Sequence, residues 1–378
     1  MSDQALVVRE LERAVERDEN VVLASIVRTA GSAYRGVGTR MIVRADGSAA
    51  GLVSGGCLEA DLVARAQKVR ECGVADLVTY DSRSDDDLVW GLGLGCDGMV
   101  QVLLEPLAGD RASQLVSILR TASERSTSTV LATAIGGGAV TGDRLLIDDA
   151  GIEIARMGQW TNVDHARTVR AAADGAIAAG RRGTTCEAGD AEFALEVIAP
   201  PVRLVICGSG PDAVPLARLA STQGWNVVIV DHRPFAHAHP ERFPSAIVVE
   251  CASPDQLESA ATIDDRTSIV VMSHSYPRDL EYVSAALRSQ ALYVGVLGPR
   301  RRTERMLADL SAGGDCPDTD ALERLHAPIG LDIGGDGPEA IALSIVAEVS
   351  AVTSGRNGGL LRDRRAPIHD AAQSPMPA

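Results

Sequence analysis

Apolar and polar positions follow two periods along this chain. From Arg9 to Arg17 apolar residues recur at helical spacing among charges, and Val21–Thr29 then turns into an apolar, β-branched run that predicts a strand. Met41–Arg44 and Ala50–Val53, separated by Asp46-Gly47, read as a hairpin. Leu58, Leu62, Ala66 and Val69 mark a one-faced helix starting near Cys57. Strands are expected at Asp76–Tyr80 and Met99–Leu104, flanking a polar, glycine-rich insertion at 81–94. A helix at Ala112–Ala122 follows, and then strands near Val130–Ala134, Arg144–Ile147, Gly151–Arg156 and Ala194–Ile198, with a helix from Asp164 to Ala179. This middle stretch offers the least chemistry, and no internal repeat is read.

Beyond Pro200 strands and helices alternate, which predicts a parallel sheet. The strands expected are Val202–Ile206, Val227–Val230, Ala246–Val249, Ser268–Met272, Leu292–Val296 and a short one at Ala327–Leu331. Asp336 and Glu339 read as the cap of a last helix running to about Val352. The pattern is that of an α/β protein, with an N-terminal mixed α/β domain and a C-terminal Rossmann-like doubly wound parallel sheet. Expected divisions are 1–106, a middle mixed region at 107–199, the Rossmann-like domain at 200–353 and a disordered tail at 354–378.

Composition narrows the function. A formal net charge of −15 argues against a nucleic-acid partner. No apolar run reaches membrane-spanning length, and the opening segment reads as an amphipathic helix, not a leader. Seven cysteines without a C-x-x-C pair suit a reduced cytoplasm. Lys68 is the single lysine and follows no glycine turn, which excludes a Walker A loop.

The candidate chemistry begins at Val202–Ala213, an apolar strand that opens through Gly208-Ser-Gly210 into a helix. Gly208 suits a tight turn and Gly210 a close approach to a diphosphate, while Asp231 closes the next strand where a ribose-binding acid is expected. Arg300 and Arg301 follow a strand at its carboxyl end, the side on which such sheets bind ligands, and His274 holds a similar place. His237 and His239 read as plain loop residues. Arg35 and Arg40, in a glycine-rich loop, fit either an oxyanion site or a solvated connection. Cys57, after two glycines at a helix start, fits a reactive or ligating thiol, but its position alone favours a small packed residue. Cys96 lies among glycines, where a backbone can expose sulfur to a metal or a sulfur donor. No catalytic acid/base pair stands out.

Several segments carry a resemblance. Thr-Ala-Gly-Ser at 29–32, Gly-Thr-Arg-Met at 38–41, Ser-Gly-Gly-Cys-Leu-Glu at 54–59 and Gly-Leu-Gly-Cys at 93–96 are the N-terminal ones. Val-Asp-His-Arg-Pro at 230–234, Ser-His-Ser at 273–275, Pro-Ile-Gly-Leu-Asp-Ile-Gly at 328–334 and Ala-Leu-Ser-Ile-Val-Ala-Glu at 342–348 are the C-terminal ones. In this order they resemble the XdhC/CoxI family, accessory proteins of molybdenum hydroxylases. The resemblance implies a cytoplasmic, non-enzymatic chaperone that binds molybdenum cofactor in a pterin or dinucleotide form. It implies help with sulfuration alongside a cysteine desulfurase, and delivery to an apo-enzyme of the xanthine or carbon monoxide dehydrogenase type. Cys96, as metal ligand, and then Cys57 stand near molybdenum or sulfur in that reading, with Gly208, Gly210, Arg300 and Arg301 near the phosphate. Arg35 and His274 add further contacts, and a homodimer is expected. Better-known members differ at Pro211-Asp212, Asp97 and Pro299. The alternative is an NAD(P)-dependent oxidoreductase with Asp231 on a ribose hydroxyl.

Overall fold

The computed structural model describes residues 3–31, 33–81, 98–234, 239–251 and 253–365. They divide into two compact units, Ser2–Pro200 and Pro201–Leu360. Within the first unit one topology occurs twice. Helix α1 (Asp3–Glu16) leads into β1 (Val21–Gly31), β2 (Arg40–Val43), β3 (Ala49–Gly51), α2 (Glu59–Cys72), β4 (Asp76–Asp81) and β5 (Gly98–Leu107). Helix α3 (Gly109–Glu124) then leads into β6 (Thr129–Gly137), β7 (Arg144–Asp148), β8 (Glu153–Met157), α4 (Val163–Ala178), β9 (Gly183–Ala188) and β10 (Ala191–Ile198). The strand orders are β3-β2-β1-β5-β4 and β8-β7-β6-β10-β9. The absence of a repeat, expected from the sequence, is therefore corrected: the middle region is a second copy of the first fold.

Burial follows the repeat. Val7, Leu11 and Ala14 on α1 correspond to Leu115, Leu119 and Ala122 on α3, and all six share one core with Leu23, Ile42, Leu131 and Leu146. Outside it, α2 closes the first sheet through Leu62, Ala66 and Val69, and α4 the second through Val169 and Ala173. A small cluster of Val27, Leu103, Ile135 and Ala194 joins the two copies, pairing Val27 with its counterpart Ile135 and Leu103 with Ala194.

The junction also carries two buried ion pairs. Arg40 opens β2 and pairs with Glu196 on β10, while Arg144 opens β7 and pairs with Glu105 on β5. Each arginine also donates to the carbonyl two residues before it, Arg40 to Gly38 at 2.8 Å and Arg144 to Gly142 at 2.9 Å. Those glycines have φ of 87° and 89°, and a Cβ on either would strike the partner glutamate. The registers match, with Ser25 opposite Arg40 and Thr133 opposite Arg144, and Leu23 opposite Glu105 and Leu131 opposite Glu196. A contact made once in each direction is the mark of a two-fold relation, here within one chain. Side chains at 1% and 3% exposure make the Arg144–Glu105 pair costly to break, since either charge left alone would stay buried.

The second unit is the expected parallel sheet, ordered β13-β12-β11-β14-β15-β16. Its strands are β11 (Arg203–Cys207), β12 (Asn226–Asp231), β13 (Ala246–Glu250), β14 (Thr267–Val271), β15 (Tyr293–Val296) and β16 (Leu325–His326). Its helices include α5 (Ala213–Thr222), α6 (Leu257–Ala261), α7 (Tyr276–Arg288), α8 (Arg300–Ala312), α9 (Thr319–Glu323) and α10 (Pro338–Thr353). One face packs Leu216, Ala220, Ile345 and Val349 of α5 and α10, the other Val283, Leu287 and Met306 of α7 and α8, so the sheet is doubly wound.

Two expectations are corrected here. The last strand lies at Leu325–His326, because Pro328 has no N–H and the Gly330 amide turns to the Glu348 carboxylate at 2.8 Å. The last helix is entered through Gly337, at φ 91°, and Pro338, with no side-chain cap from Asp336. Of the expected disordered tail, residues 354–365 are described and include a 3₁₀ turn at Leu361–Asp363.

Candidate functional site

In the first unit the candidate site is the loop between β3 and α2. Helix α2 begins at Glu59, and the Glu59 carboxylate reaches back to accept from the amides of Val53 at 3.2 Å and Ser54 at 2.7 Å, and from Ser54 Oγ at 2.5 Å. Ser54 Oγ in turn accepts from the amides of Gly56 and Leu58, each at 3.1 Å. Burial pushes the Glu59 carboxyl up, but these bonds outweigh it and hold it below its usual range. Ser54 and Leu58 are buried, whereas Gly55, Gly56 and Cys57 are exposed. Gly56, at φ 109°, needs its missing side chain to make the turn. The clamp therefore presents the Cys57 thiol to solvent on a loop fixed at both ends, which corrects the packed residue that its sequence position favours.

Arg35 and Arg40 were the candidates for an oxyanion site in the glycine-rich loop ahead of β2. Arg35 is half-buried with its guanidinium 5.6 Å from the Tyr34 ring centroid. Arg40 faces no ligand: its side chain is 3% exposed and spent on Glu196. Cys96 and Asp97 lie outside the described residues, as does His237. His239 is half-buried and bonds Glu241 at 2.8 Å. Among the described residues no cluster of His, Cys, Asp and Glu is arranged to hold a metal.

In the second unit the strand order reverses between β11 and β14, the place where open α/β sheets bind ligands. Gly208 follows β11 with φ 123°, and a Cβ there would lie 2.7 Å from Ser273 Cα and 2.8 Å from the Met272 carbonyl. Its glycine is thus required by the crossing of two chain segments. A Cβ on Gly210 would meet only the His274 ring, at 3.5 Å. Of the turn amides, Gly208 donates to Val230 O and Ser209 to Asp231, while Pro211 has no N–H. The amides of Gly210 and Asp212 bond nothing among the described residues and remain for an anion.

Asp231 and Asp279 each tie a serine to an arginine behind this turn. Asp231, 1% exposed, accepts from Ser209 N at 2.8 Å and Oγ at 2.6 Å, and from Arg233 N at 2.9 Å, Nε at 3.0 Å and its terminal nitrogen at 2.8 Å. Burial pushes this carboxyl up, but the Arg233 and Ser209 bonds hold it well below the carboxylate range. Asp279, also 1% exposed, accepts from Ser273 N at 3.0 Å and Oγ at 2.5 Å, and from Arg302 at 2.8 Å. Both loops of the reversal are braced in the same way.

His274 stands between them with φ 62°, a left-handed conformation uncommon for a side-chain-bearing residue, and its Nε2 lies 3.2 Å from Asp212 Oδ2. The negative charge that Pro211-Asp212 brings to the turn therefore faces an imidazole. Arg300 and Arg301 are exposed in the first turn of α8, while Arg302 turns inward to Asp279. Sequence reasoning missed Ser209, Arg233, Asp279, Arg302 and the Ser54–Glu59 clamp. The signal present was a serine two or three residues beyond a strand, as at Ser54, Ser209 and Ser273, and an acid within reach of it.

Comparison with known proteins adds to this geometry. Residues 204–349 match the XdhC Rossmann domain, and residues 14–81 match the XdhC and CoxI family. A Bacillus subtilis protein named as a probable xanthine dehydrogenase subunit is 32% identical over 90% of this chain and 95% of its own length. An Escherichia coli protein named molybdenum cofactor insertion chaperone PaoD is 25% identical over 93% of this chain and 89% of its own. A crystal structure titled as a xanthine dehydrogenase from Bacillus halodurans superposes with a TM-score of 0.73 at 30% identity, covering 94% of this chain and 97% of that one.

Proposed function

Since the chain belongs to the XdhC and CoxI family, we propose that it is a molybdenum cofactor accessory protein, which binds the cofactor, assists its sulfuration and delivers it to a molybdenum hydroxylase. The observation that carries this reading is likeness along nearly the whole chain to a relative named for cofactor insertion. The client is an apo-enzyme of the xanthine or carbon monoxide dehydrogenase type, and a cysteine desulfurase supplies the sulfur. The protein acts as a homodimer in the cytoplasm. Among the described residues no helix is long and apolar enough to cross a membrane.

The residues fit this cargo in two places. A soft thiolate suits molybdenum or transferred sulfur, and the Ser54–Glu59 clamp presents Cys57 for that purpose. Cys96 shares the role in this proposal. The amides of Gly210 and Asp212, with Arg300 and Arg301, suit the cofactor's phosphate, and the His274 ring engages the Asp212 carboxylate beside it. Arg35 is a further contact. Asp231 contributes from behind, by holding Ser209 and Arg233 in place. A nicotinamide dinucleotide is supported less well, because a ribose diol would have to displace Arg233 from Asp231.

The test is titration of the purified chain with molybdenum cofactor and with NAD(H), repeated on Cys57→Ser and Cys96→Ser. Tight cofactor binding that falls at least about tenfold in a serine variant is expected, the loss of one good ligand. Tight NAD(H) binding indifferent to both changes would overturn the proposal.

A further inference from the structure

The second copy of the repeated fold holds a cavity of about 420 Å³. Its walls come from the β6–β7 loop, the β8–α4 loop and the β9–β10 turn, and the second of these takes the place in the repeat that the Cys57 loop takes in the first copy. The loops of the two copies differ in chemistry. Where the first copy has Ser54-Gly-Gly-Cys57 ahead of its helix, the second has Gly158-Gln-Trp160-Thr-Asn162.

Aromatic rings line this cavity. Trp160 and Phe193 lie with ring centroids 5.1 Å apart, and His165 stands edge-on to Phe193 at 5.5 Å. Gly137, at φ 77°, and Gly138 let the β9–β10 turn come so close that a Cβ on either would strike Asp190. That approach brings the Asp190 carboxylate to 3.9 Å from His165 Nε2 at the cavity rim, where its side chain is 79% exposed. The other lining acid, Asp143, is engaged with Arg111 at 3.2 Å and the Gln159 amide at 2.8 Å. Among the described residues no lysine or arginine lines the cavity.

These features select a ligand class. Two carboxylates without a lining cation disfavour a phosphate or any other anion. Aromatic walls favour a flat ring. A carboxylate beside an imidazole nitrogen suits an edge with two adjacent N–H donors and then a carbonyl: the carboxylate accepts the pair and an Nε2–H of the ring donates to the oxygen. We propose that this cavity binds a flat aminopyrimidinone ring, the donor–donor–acceptor edge shared by pterins and guanines, with Asp190 and His165 reading the edge and Trp160 lying against the ring. The pterin arm rests on the cofactor role proposed above; the guanine arm does not.

Calorimetric titration of the full chain with free pterin and with guanosine tests this, alongside delivery of molybdenum cofactor to a client enzyme by the same preparation. Saturable binding is expected, weakened about tenfold or more by Asp190→Ala and less by Asp190→Asn, which keeps one acceptor oxygen. Both variants sit on an exposed turn and should melt with the wild type. Tighter pterin than guanosine binding assigns the site to a pterin, and the reverse assigns it to a guanine nucleoside. No saturable binding of either ring, or binding indifferent to both variants, overturns the proposal. Delivery without Asp190-dependent ring binding overturns this inference alone, whereas Asp190-dependent guanosine binding without delivery overturns the cofactor reading alone.

Discussion

The two copies in the first unit share a scaffold and differ at its rim. Strand order, helix placement, the shared core and the exchanged Arg–Glu pairs are the same in both. The loop ahead of the helix is not. In the first copy Glu59 clamps Ser54 and exposes Cys57, whereas in the second Asn162 caps α4 by accepting from the amides of Asp164 and His165. The packed parts tolerate only like for like, since they must satisfy each other across the junction, while the loops are free to diverge. Chemistry in this unit is therefore a property of loops, and the scaffold alone does not reveal which copy carries which function.

The junction is where that comparison breaks most easily. Glu105→Ala leaves Arg144 buried and unpaired and is expected to cost about 3–5 kcal/mol in urea unfolding. Replacing Glu105 and Arg144 together by Leu and Met should recover most of that loss, because a packed apolar pair avoids the desolvation of both charges. A smaller effect tests the symmetry itself. Gly38→Ala and Gly142→Ala each force a side chain into a positive φ against the partner glutamate, and each should cost at least about 1–3 kcal/mol. Losses that agree within about 1 kcal/mol sharpen the two-fold reading, and a neutral result at one site would break it.

At the loops the expected effects are smaller and unequal. Asn162→Ala removes the α4 cap and should cost about 1 kcal/mol in the same unfolding assay. Acid separates the copies further. The Glu59 carboxyl is held below its usual value in the folded chain, so the clamp contributes fully above about pH 4.3 and its contribution is lost as pH falls through the lowered value. Hydrogen-exchange protection of the Ser54 and Leu58 amides should fall over that window while that of Asp164 and His165, bonded to an amide oxygen, holds. Equal loss at both loops would count against the clamp.

Much of the second unit was legible from the sequence. Runs such as Leu204–Cys207 and Val227–Asp231, bounded by glycine turns and helical patterns, fixed the parallel sheet and its ligand-binding edge. What Asp231 does there was not legible, because a spacing that fits a ribose-binding acid fits equally an acid that braces its own loop. Arg302 was hidden for the same reason: three consecutive arginines look alike until a helix turns one inward to Asp279. The internal repeat left a trace. Val22-Leu-Ala-Ser25 with Gly38-Thr-Arg-Met-Ile-Val43 is echoed by Val130-Leu-Ala-Thr133 with Gly142-Asp-Arg-Leu-Leu-Ile147. Those short identities cover only the strands that meet at the junction, and the loops between them have diverged in length as well as in residues.

The exchanged ion pairs are alike in space and unlike in time. Arg144 and Glu105 are 39 residues apart, while Arg40 and Glu196 are 156 apart. Closing the fourfold longer loop costs about 1.2 kcal/mol more in chain entropy. It also needs the chain to be complete to β10. On a ribosome, where a chain emerges from its N-terminus, Glu105 can meet its partner while Glu196 is still unmade. Arg40 must meanwhile stay in water, and only the last strand of the second copy completes the first.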